Sequence, residues 1–204
     1  MNQSIKKVTI LASVPIFALA FVAVVSSTQA NALTTTTTVS SSISAIITLL
    51  TSSGTVTLDS IPTAGGVQTI ASDTVTVSTN DSAGYVLKLN ETAAASALVS
   101  GANSIPATAG TFATPIAQAT NTWGYRVDNL GTFGAGPTTP ALNAAISGTI
   151  KFAAVPATAS PQTLKTTATT ATNDTTTVWY GVAVNTATPS GTYTNSVTYT
   201  ALAN

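Results

Sequence analysis

The 204-residue chain contains no cysteine and no histidine. Without cysteine, it can form no disulfide, thiol nucleophile or thiolate metal site. Without histidine, it lacks the usual general base near neutral pH and the commonest transition-metal ligand, so no Ser-His-Asp triad can be built. These absences predict a protein that is not an enzyme and that uses no cofactor and no metal.

Charged residues are also scarce, with six basic and six acidic side chains in the whole chain. So weak a charge gives no electrostatic footprint for nucleic acid or for an anionic membrane surface, and we expect neither as a partner. Calcium needs several carboxylate oxygens in one place. Asp81, which stands between Asn80 and Ser82, is therefore expected to form an Asx turn rather than a calcium loop.

Residues 1–32 follow the pattern of a secretory signal peptide. Lys6 and Lys7 precede an apolar stretch over residues 8–25, and Ala30 and Ala32 follow it. Small residues at these two positions are what a signal peptidase accepts, so we expect cleavage after Ala32 and a secreted, extracellular protein at the cell surface. The alternative is an uncleaved signal that stays as an anchor, because the apolar stretch is at the lower limit for spanning a bilayer. The membrane would then be touched only through that segment.

The remainder of the chain is rich in threonine, a β-branched residue that favours strands. Residues 33–53 include five consecutive threonines, which predicts a Thr/Ser-rich leader or an edge strand. Residues 54–204 are expected to form a single domain. Segments of period-two alternation predict strands there, at 55–59, 73–79, 84–90, 123–127, 148–155, 178–184 and 192–200.

Turn signals between these segments predict how the strands pair. Strand 73–79 is expected to form a hairpin with 84–90, and 178–184 with 192–200, whereas 166–177 reads as a connector. No stretch after the signal has the pattern of a long helix. The fold class predicted is therefore all-β, an antiparallel β-sandwich of immunoglobulin-like or jelly-roll topology, preceded by a signal-peptide helix.

Two of the predicted strands carry a family pattern. The segment Gly84-Tyr85-Val86-Leu87 and the terminal strand with Tyr193 and Tyr199 resemble the WxL domain of bacterial surface proteins. Tyr85 and Tyr199 stand where that family has tryptophan, and Ala201 stands where it has leucine. The resemblance implies a secreted protein that attaches non-covalently to the cell wall.

Trp123 and Trp179 are the only tryptophans and the candidates for ligand contact, because aromatic faces pack well on sugar rings. Trp123 shares a strand face with Tyr125 and Val127, which favours a position in the core. Trp179 lies on the face opposite to Val178 and Tyr180, so it is expected to be exposed and is the better candidate.

Three functions remain open from the sequence. The first is a non-enzymatic structural or adhesive module of the cell surface, held by cell-wall polysaccharide or peptidoglycan. The second is a self-assembling fibre or surface-layer subunit, in which residues 33–50 add a strand to a neighbouring copy. The third is a carbohydrate-binding module that uses Trp179.

Overall fold

The computed structural model describes residues 34–92 and 96–204. The signal segment, with Ala30 and Ala32, lies outside the described residues. The chain divides after Ser41 into two units. In the first unit, residues 34–41 are exposed and have no regular secondary structure. The described residues contain no helix, and hence none that is long and apolar enough to cross a membrane.

All described strands belong to the second unit, Ser42–Asn204. In chain order they are β1 (Ile47–Thr51), β2 (Val67–Thr79), β3 (Tyr85–Glu91), β4 (Leu98–Ser100), β5 (Asn103–Ile105), β6 (Ile116–Ala117), β7 (Thr122–Val127), β8 (Ala141–Ala144), β9 (Lys151–Phe152), β10 (Gln162–Thr166), β11 (Ala171–Val184) and β12 (Val197–Ala203). The prediction of an all-β protein built from antiparallel sheets is confirmed.

The larger main sheet has the order β1–β2–β11–β7, and every pairing in it is antiparallel. Strand β2 is long enough to hold two neighbours on one side, β1 along its second half and β8 along its first. Strand β1 thus lies at the edge of this sheet.

The smaller main sheet has the order β10–β3–β12. Strand β3 alternates as the sequence predicts: Tyr85, Leu87 and Leu89 are fully buried, whereas Val86 and Lys88 are only partly so. Side chains from both sheets meet in one hydrophobic cluster, because successive side chains of a strand point to opposite faces. This shared cluster is the main core of the unit.

Both predicted hairpins are wrong. Strand β2 ends at Thr79 in the larger sheet, and β3 begins at Tyr85 in the smaller one. The chain likewise leaves the larger sheet after β11 and enters the smaller one with β12. The predicted Asx turn is confirmed, since the Asp81 carboxylate accepts a hydrogen bond from the Ala83 N–H at 2.9 Å. Alternation, however, shows which face is apolar and not which strand lies beside it.

Some predicted strand boundaries also need correction. Residues 55–59 form no strand, although Val56 and Leu58 pack against the core. The expected connector 166–177 largely supplies the first half of β11, because its β-branched threonines suit a strand. Strand 148–155 is reduced to Lys151–Phe152, and 192–200 begins only at Val197. Strand 123–127 is confirmed as β7.

Candidate functional site: a tyrosine-lined groove

A groove of about 1030 Å³ has a floor made of apolar and aromatic side chains. The larger sheet contributes Trp123 from β7 with Tyr180 and Val182 from β11, and β12 of the smaller sheet contributes Val197 and Tyr199. These residues alternate along their strands with others that face away from the groove, which is why a single face carries them.

Two tyrosines join the main sheets across this floor. The hydroxyl oxygens of Tyr180 and Tyr199 lie 2.7 Å apart, so one donates a hydrogen bond to the other. Burial raises the pKa of both phenols above their ordinary value, and nearby Asp73 raises both further. Both groups therefore stay protonated near neutral pH, and the pair acts as a neutral bridge between the sheets.

Trp123 lines the groove from β7. Only 3% of this residue is exposed, and its indole N–H donates to the Ser96 carbonyl at 2.8 Å. The predicted core position is confirmed. Since the ring both packs in the core and lines the groove, it gives the floor a fixed shape.

The rim of the groove comes from two segments that are far apart in sequence, 51–62 and 188–196. Their exposed side chains are mostly hydroxyls, namely Thr55, Thr57, Ser190, Thr192 and Thr194. Tyr193 is half-buried among them, and its hydroxyl donates to the Pro189 carbonyl at 2.8 Å. The groove therefore combines an aromatic floor with a rim rich in hydrogen-bonding hydroxyls.

The charge of the groove comes from two carboxylates, Asp59 and Asp73, and the described residues that line it include no lysine or arginine. Asp73 is buried and accepts hydrogen bonds from the Ser52 hydroxyl at 2.8 Å and the Ser53 N–H at 3.1 Å. It is thus occupied in fixing the start of the 51–62 rim. A ligand that carries anionic groups would meet no cation here.

The expectation that Trp179 is exposed is wrong. Only 6% of it is accessible, and it packs with Ile70 and Phe152 on the opposite face of the larger sheet. Its indole N–H donates to the Asp128 carboxylate at 3.1 Å, and the same carboxylate accepts from the Nε of fully buried Arg126 at 2.9 Å. The second half of β11, residues 178–184, is buried on both faces, so Trp179 presents no free ring to a sugar.

The residues that resemble the WxL motif separate into two groups. Tyr193 and Tyr199 line the groove, whereas Gly84, Tyr85 and Leu87 lie outside it. Tyr85 donates a hydrogen bond to the Asp174 carboxylate at 2.8 Å, and Leu87 is fully buried. The two motif strands are nevertheless neighbours, since β3 pairs with β12 along its length.

Sequence reasoning missed Tyr180 and the hydroxyl rim. Tyr180 shares a strand face with Val178, but its distance in sequence from Tyr193 and Tyr199 gives no sign that the three tyrosines converge. Among the described residues, no group of three or more acidic side chains lies together as a metal site would require.

No protein-family model, curated protein or solved structure matches the chain.

Proposed function

We propose that the protein is a secreted, non-enzymatic structural or adhesive module of the bacterial cell surface that holds neutral cell-wall polysaccharide in the groove. The observation that carries this proposal is the pairing of an aromatic, apolar floor with a rim of threonine and serine hydroxyls. A sugar ring has an apolar C–H face, which packs on the partly exposed rings of Tyr193 and Tyr199 in the groove, and hydroxyls that bond to such a rim.

The charge of the groove selects among wall components. Two carboxylates without a basic partner disfavour polymers that carry phosphate or carboxylate groups. Peptidoglycan stem peptides and anionic wall polymers carry such groups. A neutral polysaccharide is therefore the ligand that we favour, and peptidoglycan is the second choice.

The proposed location rests on the signal pattern of residues 1–32 and on the Thr-rich, weakly charged composition of the remainder. The proposed architecture is a two-layer β-sandwich made of the two main sheets. We also propose kinship with WxL domains, supported by the pairing of the two motif strands. Under this proposal, Tyr199 substitutes for the motif tryptophan as part of the groove floor.

The proposal is tested by sedimenting the exported protein with isolated cell walls, before and after removal of the neutral polysaccharide. Thr57→Trp fills the groove from its exposed rim and is expected to abolish co-sedimentation. Thr169→Trp adds the same ring at an exposed position in the turn after β10, and it should bind like the unchanged protein. Equal binding by both variants, or undiminished binding to stripped walls, would refute the proposal.

A further inference from the structure

The apolar face of edge strand β1 continues in the sequence before the strand begins. Ile47 and Leu49 pack against the core from one face of β1. Ala45, Ile43 and Val39 have the same odd-numbered phase, with Ser41 as the one hydroxyl between Val39 and Ile43. An extended chain therefore presents these side chains on one face with Ile47 and Leu49. Yet Ile43 is 86% exposed and Val39 is 91% exposed.

The domain itself offers no strand to pair with this extension. Strand β2 ends at Thr79, which lies opposite Ile47. Asn80 then closes the ladder, because its side-chain oxygen accepts from the Ile46 N–H at 2.7 Å. Residues 34–46 form no strand among the described residues. The Ser44 carbonyl also accepts from the Asn80 side chain, at 3.1 Å. The part of the extension that precedes Ser44 therefore has an apolar face and no partner strand among the described residues.

No described strand is hydrogen-bonded to the outer edge of β1 either, although β12 of the smaller sheet lies close to β1 without pairing with it. The ladder with β2 uses the backbone groups of alternate residues, as the bonds of Asn80 to Ile46 and of Ser52 to Thr74 show at its two ends. The N–H and C=O groups of Ile47, Leu49 and Thr51 therefore point away from β2. Within the described residues, β1 pairs with β2 alone.

Nothing in this stretch protects the edge from another chain. Exposed edges usually carry a lysine, another charge or a proline that prevents pairing between molecules. Residues 34–58 contain no charged residue and no proline. Two copies of the stretch would meet without charge repulsion.

We infer that two copies of the protein associate by pairing residues 37–49 with each other, antiparallel, along the outer edges of their β1 strands. A pairing centred on Ile43 sets Val39 of one copy opposite Ile47 of the other, so both apolar faces coincide. In each copy, the extension and the outer edge of β1 belong to one continuous segment. A single two-fold axis therefore lets the extension of each copy pair with the β1 edge of the other. The product is a closed dimer rather than a fibre. The inference goes beyond the proposed function and does not depend on the groove.

The test is the mass of the exported protein by sedimentation velocity, over about a hundredfold range of concentration. The expected result is a dimer. In a double variant, Val39→Asp with Ile43→Asp, the dissociation constant should rise roughly tenfold or more, because two charges enter the shared apolar face. The matched control is Ser40→Asp with Ser42→Asp, which adds the same charge in the same segment on the other face. It should remain dimeric.

Hydrogen exchange supplies an independent measurement. The N–H groups of Ile47 and Leu49 should become protected as the concentration rises, and protection should be lost in the Val39/Ile43 variant. A monomer at all concentrations, larger polymers, or equal sensitivity of both double variants would overturn the inference. Both double variants should bind cell walls like the unchanged protein. A failure of the proposed function can therefore be distinguished from a failure of this inference.

Discussion

Replacing Asp128 with asparagine tests how the outer face of the larger sheet is held. Arg126 is fully buried, and its Nε donates to the Asp128 carboxylate at 2.9 Å. The same carboxylate accepts from the Trp179 indole. Asparagine removes the negative charge and turns one acceptor into a donor, so Arg126 stays buried without a compensating charge. Removing one partner of a buried pair costs about 3–5 kcal/mol.

The lower end of that range applies, because the Asp128 side chain is 30% exposed. A cost of about 3 kcal/mol corresponds to a fall in Tm of about 6–12 °C for a domain of this size. Thermal unfolding followed by circular dichroism measures it. Asp59→Asn makes the same chemical change at an exposed side chain and should cost less than about 0.5 kcal/mol. A fall in Tm of equal size in both variants would refute the reasoning.

A second substitution separates the buried charge from the lost hydrogen bond. Adding Arg126→Met to Asp128→Asn removes the uncompensated cation and leaves an apolar side chain of similar length. Part of the lost stability should return, because an apolar replacement of a whole buried pair is often close to neutral. A double variant that is less stable than Asp128→Asn alone would show that the guanidinium contributes through its other bonds.

Three further predictions concern the groove, a turn and an ion pair. Phenylalanine at Tyr180 or Tyr199 leaves the other hydroxyl buried without its partner, so each change should lower the free energy of unfolding by about 1–2 kcal/mol. The double change should cost little more than either one alone. Additive losses in a double-mutant cycle would contradict the hydrogen bond between the two tyrosines. Gly84→Ala should lower the free energy of unfolding by about 2 kcal/mol, because φ is +85° and a Cβ would lie 2.4 Å from the Thr167 main-chain oxygen. Gly54→Ala, where a Cβ would meet no atom within 4 Å, is the control. Equal urea midpoints for the two variants would contradict this prediction. Burial raises the pKa of Asp174, but its lysine and tyrosine partners outweigh that effect and hold the pKa below its ordinary value. The folded state therefore gains stability above about pH 4, and this stability is lost on acidification. In Asp174→Asn, the urea midpoint should depend less steeply on pH in the acid range. An unchanged pH dependence of the midpoint would contradict this prediction.

The tyrosine bridge also predicts the behaviour at high pH. Burial raises the pKa of Tyr180 and Tyr199, so the folded state keeps two protons that the unfolded state releases above about pH 10. Stability from this source is fully present below that pH and is lost as the pH rises further. Urea midpoints between pH 8 and pH 11 should fall more steeply for the unchanged protein than for the double phenylalanine variant. Parallel slopes would contradict the assignment.

The sequence predicts local structure well where one face of a strand is buried. The alternation of Tyr85, Leu87 and Leu89 with Val86 and Lys88 gives the correct faces of β3, because only one side of that strand meets the core. The same reasoning fails at Trp179. The second half of strand β11 is buried on both faces, and the residue that covers its outer face, Phe152, comes from a distant part of the chain.

The pairing of strands was not predictable from local patterns. Turn residues near Asp81 do mark a turn, but the turn carries the chain from one sheet to the other, and a hairpin has the same local signals. The groove itself was not predicted, because it depends on the same pairing of distant strands. Tyr199, Tyr193 and Trp123 were identified individually, whereas their convergence with Tyr180 depends on strand order.

The most direct test of the proposed function is to titrate isotope-labelled protein with neutral cell-wall polysaccharide and record the backbone amide shifts by NMR. The proposal predicts that the largest shifts fall on the two rim segments, 51–62 and 188–196, and on β12 beside Tyr199. Absent shifts would contradict it. Shifts centred on the opposite face of the larger sheet, around Trp179, would do so as well.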